Sequence, residues 1–404
     1  MRNIKHIALT LTLILLVTMS AHRSPAADAL TVEDRLSQLE KTVQALQTEN
    51  TTLKSQLGVD AKAPLVIVKP AGKESKLNIG GYIQGQAEFG DEPDTRFTGI
   101  QDRAYLRRAR LNVTGLFAEQ FDFKLESDFS GNSISETAAY RAQITDAFVN
   151  WNRYSAANVK FGQFKTPFGY EQLVSDTKLG TIERSLGNDR ITDGRQIGLA
   201  VSGDFLEKRL GYSVGAFNGT GVNNSFNDNN SFMWAGRVTG VAYTGKIAEQ
   251  DARVAIGVNA LTTHDDGVTK TGFGFVGNNF IGRRTAWGLD AQAKLGIFGL
   301  DAEYLRCRFQ PTTAVLGSDD FDGQSWYVMA TADVWPKQLQ ALVKYEYFDP
   351  NTRANGDVSE TVTFGLNYYI KGDDVKLSVN YILGNPAGLL QNQGRLLTRF
   401  QIIF

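Results

Sequence analysis

The sequence predicts an all-β protein, a 16-stranded antiparallel transmembrane β-barrel preceded by a short N-terminal α-helical coiled coil. Three features predict the barrel: apolar and polar side chains alternate over much of residues 77–404, long connections alternate with short ones, and the carboxyl terminus is aromatic. Beyond the amino terminus, the 404 residues contain no apolar run of the roughly 18–20 residues that a membrane helix needs. Membrane-spanning helices are therefore not expected.

The amino terminus is typical of a secretory signal peptide, assigned to residues 1–29. Arg2 and Lys5 precede an apolar stretch, and an A-x-A cleavage site ends at Ala29. Removal of this segment takes three basic and one acidic residue from totals of 42 and 43, which leaves 39 basic and 42 acidic residues. A net charge of about −3 argues against a nucleic-acid partner. The sequence does not fix the exact cleavage position.

Residues 30–57 carry a heptad pattern that predicts a periplasmic coiled coil. The core positions are spaced alternately by four and three: Val32, Leu36, Leu39, Val43, Leu46, Asn50, Leu53 and Leu57. A polar Asn50 at an a position is a residue that fixes register in such assemblies. The narrow stripe favours self-association as a homotrimer over a helix packed on its own barrel. Residues 58–76, which contain two prolines, are predicted to be a linker.

From residue 77 the hydrophobic period changes to two, the period of a strand with two different faces. Residues 121–126, for example, alternate strictly between apolar and charged side chains. Such alternation also fits a soluble sandwich with one wet face. Sixteen strands are predicted to begin near residues 77, 102, 120, 142, 157, 196, 210, 231, 251, 284, 299, 323, 338, 359, 374 and 396.

The connections separate the barrel from the sandwich. Seven short turns alternate with eight long connections, at 90–101, 130–141, 165–195, 219–230, 262–283, 309–322, 349–358 and 385–395. Long loops on one side and short turns on the other are typical of an outer-membrane barrel. Sixteen tilted strands enclose a water-filled channel. An even strand number puts both chain ends on the periplasmic side, where the coiled coil must lie.

The last strand ends on Phe404, and its alternate positions back to Leu396 carry large or neutral side chains. We interpret Phe404 as the signal by which the barrel presents itself to the barrel-assembly machinery. The alternate apolar positions are expected to contact outer-membrane lipid.

The sequence contains matches to enzyme motifs, but their surroundings do not support an active site. Residues 211–215 match the G-x-S-x-G pattern of a nucleophile elbow, but they lie inside an alternating strand. The mature chain has one histidine, His264, and one cysteine, Cys307, which cannot build a tetrahedral nitrogen and sulfur site. We therefore predict no enzyme, no catalytic residue, no metal and no cofactor.

The third long connection, about 165–195, is long enough to be functional. Its place between strands 5 and 6 predicts that it folds into the lumen. Selectivity depends on which of its charges face the water. Its basic side chains are candidates for a constriction that binds anions: Lys178, Arg184, Arg190 and Arg195. Its acidic side chains match them in number: Asp176, Glu183, Asp189 and Asp193.

Several segments resemble the phosphate-selective porin O/P family, and the resemblance covers about residues 77–404. They are residues 161–171, Ile182-Glu183-Arg184-Ser185, Gly194-Arg195, residues 107–111 and residues 123–129. The resemblance implies a trimer of sixteen-stranded barrels that passes small inorganic anions such as phosphate. It also implies that arginines on the inward loop bind the anion, and Arg184 and Arg195 match that pattern.

In the family, basic residues on the wall guide the anion. The basic residues on the polar parity of strands 2, 3 and 5 are Arg108, Arg110, Lys124 and Lys160. They form either a basic track along the lumen or ion pairs with neighbouring carboxylates. The acidic companions and the net negative charge depart from a strongly anion-selective pattern.

The sequence thus predicts a bacterial outer-membrane porin for passive diffusion of small hydrophilic solutes, with a preference for anions as the further hypothesis. One alternative is a general, non-selective porin. Another is a structural envelope protein whose coiled coil tethers the outer membrane to peptidoglycan, with the pore secondary.

Overall fold

A computed structural model describes residues 41, 42, 44, 76–130, 141–275, 278–312, 319–385 and 393–404. Sixteen antiparallel strands close into a barrel, in which every strand pairs with its sequence neighbours and β1 pairs with β16. The strands are β1 (Lys76–Gly90), β2 (Arg103–Phe117), β3 (Phe121–Asp128), β4 (Gln143–Tyr154), β5 (Ala157–Lys165), β6 (Arg195–Phe205), β7 (Leu210–Phe217), β8 (Met233–Ile247), β9 (Gln250–Thr269), β10 (Asn279–Leu295), β11 (Phe298–Pro311), β12 (Phe321–Trp335), β13 (Leu339–Asp349), β14 (Ser359–Lys371), β15 (Val375–Asn385) and β16 (Gln393–Ile403).

No helix within these ranges is long and apolar enough to cross a membrane. The predicted signal peptide and the coiled-coil core positions lie outside the described residues, so both stay predictions. β1 begins at Lys76, the last residue of the range predicted as a linker.

Fifteen of the sixteen strands begin within three residues of the predicted position, and β10 is the exception. It begins at Asn279 instead of near 284, and its partner β9 continues to Thr269, so the predicted loop 262–283 is largely strand. His264, predicted in that loop, pairs with Arg283 in the β9–β10 ladder. The polar run from Thr262 onward lacks apolar alternation, and backbone pairing along the hairpin extends the strands regardless.

Polar side chains point into the barrel and apolar side chains point outward. On β13, Val343 is 41 % exposed on the outer face, whereas Lys344 is 0 % exposed in the interior. The buried set is accordingly rich in charged residues rather than in aliphatic ones. This distribution suits a chain with lipid outside and a polar lumen inside.

The carboxyl terminus closes the barrel against β1. Phe404 N donates to Gly81 O at 3.0 Å, and Gly81 N donates to Phe404 O at 2.9 Å. The Phe404 ring also covers Gly81, because a Cβ built there would lie 2.9 Å from the ring and 2.3 Å from the carbonyl oxygen of Arg110. The absence of a side chain at Gly81 is what lets the ring and the neighbouring strand approach so closely.

Candidate pore constriction

The third long connection, L3 (residues 166–194), joins β5 to β6 and carries two short helices, α1 (Tyr170–Leu173) and α2 (Leu186–Ile191). The side chain of Ser185 caps α2 by accepting a hydrogen bond from the backbone N–H of Asn188. This is the usual way in which a serine satisfies a free donor at a helix start.

L3 folds into the lumen and reaches the far wall. The backbone N–H of Leu186 donates to Glu346 of β13 at 3.0 Å, and that of Ile182 donates to Asn380 of β15 at 2.6 Å. Backbone groups of an inward loop need such partners because water is partly excluded there.

An apolar cluster fixes the ends of L3 against the wall. Phe168 and Ile191 are fully buried in it, each with an exposed fraction of 0 %. Burial of side chains of this size stabilises a fold by roughly 1.5–3 kcal/mol each. Other members of the cluster are Phe164, Leu186, Phe217, Phe309 and Phe348.

Wall cations hold the carboxylates of L3. Lys344 Nζ lies 2.6 Å from Glu171, and Arg284 Nη1 lies 2.9 Å from Asp193, which also contacts Lys270 at 2.5 Å. Burial alone would raise the pKa of Asp193, but Arg284 and Lys270 lower it to about 2. These wall cations are therefore neutralised by L3 and are not free to bind a solute.

Glu183 makes the same kind of contact on the other side of the barrel. Its carboxylate lies 2.8 Å from Arg107 on β2 and 2.5 Å from Arg399 on β16. Burial opposes ionisation, yet these two guanidinium groups hold the pKa of Glu183 well below its usual range. Glu183 thus stays charged and ties L3 to the seam where the barrel closes.

A β-bulge in β2 brings two consecutive arginines into the lumen. Gln84 opposes Arg108 while Gly85 opposes Leu106, which leaves Arg107 as the extra residue. A bulge re-aims side chains in this way. Strand parity predicted Arg108 but missed Arg107, since a bulge has no signature in the alternation. Arg108 donates to Gln84 at 2.9 Å and lies 3.5 Å from Asp176.

Arg184 lies within L3 and does not present a free guanidinium to the pore. Nη1 is 2.6 Å from Asp176, Nε donates to Glu171 O at 2.9 Å, and Nη2 donates to Val174 O at 2.8 Å. All three nitrogens already have protein acceptors. Contacts inside the loop thus satisfy a charge that the sequence left unpaired, and anion binding by Arg184 stays a prediction.

Arg195 and two wall residues of the predicted basic track form a network with carboxylates. Arg195 Nε is 2.7 Å from Asp146, and Lys124 Nζ is 2.8 Å from the same carboxyl group and 2.9 Å from Glu126. Arg110 lies 3.5 Å from Glu126, and it also contacts two further carboxylates at 2.9 and 2.7 Å. These three residues are therefore ion-paired with neighbouring carboxylates instead of forming a free basic track along the lumen.

The two remaining candidates of L3 form no ion pair among the described residues. Arg190 is half-buried, and its Nη2 donates to Thr95 Oγ1 at 3.4 Å. Lys178 is exposed. Burial lowers the pKa of Arg190 from its ordinary value, which Asp189 opposes.

Two lysines of β5 also lack an ion pair within the described part of the chain. Lys160, predicted as a track residue, lies over the rings of Phe148 and Phe164, with Nζ 4.5 and 5.3 Å from their centroids. Lys165 donates to two carbonyl oxygens of L3, at 2.6 and 2.9 Å. Sequence reasoning took Lys165 only as the start of the loop, although its place at a strand end beside an inward loop marked it as a lumen residue.

The first long connection, L1 (residues 91–102), also folds inward, which the sequence did not predict. Arg96 forms an ion pair with Asp94 at 2.6 Å, lies 3.6 Å from Glu346, and donates to the carbonyl oxygen of Arg184. Phe97 beside it is completely buried. A loop with one aromatic residue gives no periodic signal, so only the folded chain reveals this contact.

Two cavities lie along the wall formed by β2–β8. The arginine cavity, of about 340 Å³, is lined by Arg107, Arg108, Arg110, Gln172, Asp176, Arg184, Asp189, Thr192, Asp193, Gly194 and Arg195. The lysine cavity, of about 320 Å³, is lined by Lys160, Phe164, Lys165, Pro167, Leu173, Ala200, Ser202, Asp204, Gly211, Tyr212, Ser213, Arg237 and Thr239. Lys165 and Arg195 face each other in the β5–β6 pair and border different cavities.

The segment 211–215 that matches a nucleophile elbow lies within β7, as its alternation predicted. Within the described ranges, no group of three or more His, Cys, Asp or Glu side chains is arranged to hold a metal ion. Cys307 is buried and free.

Comparisons with known proteins agree on one family. Residues 78–387 match the family model of phosphate-selective porins O and P. Porin O of Pseudomonas aeruginosa is 23% identical over 407 aligned positions, which cover 83% of this chain and 90% of that protein.

Solved structures give the same fold. An anion-selective porin from Comamonas acidovorans has a TM-score of 0.58 at 14% identity, over 82% of this chain and 100% of that one. The trimer form of OmpT from Vibrio cholerae has a TM-score of 0.54 at 10% identity, over 82% and 100%.

Proposed function

The chain belongs to the phosphate-selective porin O and P family and is an outer-membrane porin, and we propose that its channel prefers small anions, phosphate among them. A porin acts by passive diffusion, so the proposal concerns which solutes the lumen favours and not a reaction. Membership in this family identifies a channel, not an enzyme.

The observation that carries the proposal is the distribution of charges without an ion-pair partner. Among the described residues, Arg190, Lys165 and Lys160 form no ion pair, and the last two line or border the lysine cavity. Two exposed carboxylates oppose this positive charge: Asp189 lines the arginine cavity and Asp204 lines the lysine cavity. Arg190 lines neither cavity, so the surplus of positive charge rests on this one residue, and we expect only a weak preference for anions.

The route we propose runs from the arginine cavity to the lysine cavity past Lys165 and Arg195. These two residues oppose each other where L3 leaves and rejoins the wall. An anion would pass several weak contacts in turn, which suits a channel because a single tight site would stop flux. In this proposal Lys160 and Lys165 line the route, Arg195 meets the solute as one member of its pair with Asp146, and Arg184 acts by holding L3 in place.

The test is the reversal potential of the purified protein in a planar bilayer under a KCl gradient, repeated with phosphate as the competing anion. A preference for chloride, together with reduction of the chloride current by phosphate, is the expected result. A preference for potassium would reject the proposal in favour of a general porin whose basic residues are neutralised by their acidic partners.

We also propose that the protein is a homotrimer whose amino-terminal segment lies in the periplasm. The heptad of residues 30–57 supports self-association. The trimer form of OmpT, which shares the fold, is consistent with it. An even number of strands brings both barrel ends to the side of the short turns, which in such barrels is periplasmic.

A further inference from the structure

The lysine cavity differs in chemistry from the rest of the lumen. It lies near the short turns, because Asp204 and Gly211 at its lower edge flank the turn between β6 and β7. Its volume of about 320 Å³ falls at the small end of the roughly 300–1,000 Å³ that small-molecule sites occupy.

Its positive charge comes from the two β5 lysines. Arg237 also lines the cavity, but Asp290 neutralises it through contacts of 2.6 and 2.8 Å. Asp204 supplies the one carboxylate among the lining residues, and it lies at the turn end. Lys160 and Lys165 form no ion pair within the described part of the chain, but Lys165 already donates to two carbonyl oxygens of L3. An anion entering here therefore meets the Lys160 ammonium first, with little competition from carboxylates.

The cavity also has an apolar side. Phe164, Pro167 and Leu173 lie on it, and the ammonium of Lys160 rests over the ring of Phe148 outside it. Hydroxyl groups lie on the neighbouring strands β6, β7 and β8, on Ser202, Ser213 and Thr239. The arginine cavity has no such surface, since its lining residues are charged or polar except for one glycine.

We propose that the lysine cavity is a subsite for small organic anions that join a carboxylate to a compact apolar group. The carboxylate lies against Lys160 with the wall hydroxyls as further donors, and the apolar group packs on Phe164 and Leu173. The inference rests on the proposed anion-preferring pore and names a second solute class for it. A cavity with one charged and one apolar side favours such a solute over a fully hydrated inorganic anion.

The experiment is inhibition of single-channel chloride current by four probes: benzoate, acetate, benzamide and phosphate. Benzoate is expected to inhibit at about tenfold lower concentration than acetate, the gain expected from partial burial of the ring. Benzamide, which has the ring without the charge, is not expected to inhibit. Equal inhibition by benzoate and acetate, or equal inhibition by benzoate and benzamide, would overturn the subsite.

Variants locate the site. Lys160→Met is expected to weaken benzoate and acetate alike by about fivefold, the size of one charge contact in water. Leu173→Ser is expected to weaken benzoate alone. Lys294 lines neither cavity, and its side chain is 62% exposed. Lys294→Met is therefore the control, in which inhibition by all four probes is expected to stay unchanged.

The outcomes separate this inference from the proposed function. Anion selectivity in KCl with no advantage for benzoate rejects the subsite and leaves the anion-preferring pore standing. Cation selectivity of the unmodified protein rejects the pore proposal itself. If Lys160→Met gives no stable channel, Lys160→Gln is measured in its place, and unchanged benzoate inhibition in that variant overturns the assignment.

Discussion

Arg184 and Asp176 form an ion pair of 2.6 Å that closes within L3, with both side chains almost fully buried. Burial alone would raise the pKa of Asp176, but Arg108, Arg184 and Arg110 hold it well below its usual range. Arg184, which the sequence offered as an anion ligand, thus stabilises the folded conformation of L3.

Replacement of Arg184 should therefore change the shape of the pore more than its affinity for anions. Arg184→Ala removes one partner of a buried pair, which typically costs about 3–5 kcal/mol. We expect larger and noisier single-channel conductance, as L3 leaves its docked position for part of the time. Lys178→Ala, at an exposed position of the same loop, is the control. Unchanged conductance in Arg184→Ala would contradict the bracing role.

Acidification should increase the preference for anions through Asp189. Its side chain is exposed to the lumen but lies deep inside the barrel, and the reduced solvation there raises its pKa to about 6 against the opposing charges of Arg96 and Arg184. As the pH falls through 6 this carboxylate becomes neutral, whereas Asp193, with a pKa of about 2, stays charged. Reversal potentials measured at pH 7.5 and pH 5 test this.

In the variant Asp189→Asn the change in preference between pH 7.5 and pH 5 should be smaller than in the unmodified protein. An equally large pH effect in the variant would assign the titration to another group.

The contact between Gly81 and Phe404 should be sensitive to a single methyl group. In Gly81→Ala the new Cβ would meet the Phe404 ring at 2.9 Å and a backbone oxygen at 2.3 Å, so the closing strands must separate. Overpacking of this kind costs about 1–3 kcal/mol. The expected result is a lower unfolding temperature in heat-modified gel mobility. Gly85→Ala, on the same strand with nothing within 4 Å of the added atom, is the matched control. Equal stability of the two variants would refute the role of this contact.

Deletion of residues 30–57 tests the predicted coiled coil. If the heptad assembles the protein, the deleted form should give barrels that conduct but no longer migrate as trimers. If it anchors the envelope instead, trimers should persist while cells lose integrity of the outer membrane. Cross-linking of the purified protein and leakage of periplasmic enzymes distinguish the two results.

The strands were predictable because lipid and water impose alternation on every segment that crosses the membrane. That rule fails where the chain leaves the membrane, as at the β9–β10 hairpin, and where an extra residue interrupts the ladder, as at Arg107. The inward course of L3 followed from its length and from its place between the fifth and sixth strands. The ion pairs of its charged side chains could not be predicted, because the partners Arg399, Lys344 and Arg284 lie far away in sequence and meet L3 only in the folded barrel.

The position of Glu183 between Arg107 and Arg399 also links the docking of L3 to closure of the barrel. The two arginines belong to strands near opposite ends of the chain, and the second is 216 residues from Glu183. Their shared binding place exists only after β1 has paired with β16, and contacts of such long range form late in folding. The complete contact of Glu183 therefore requires a closed barrel, and it couples the docking of L3 to the integrity of the β1–β16 seam.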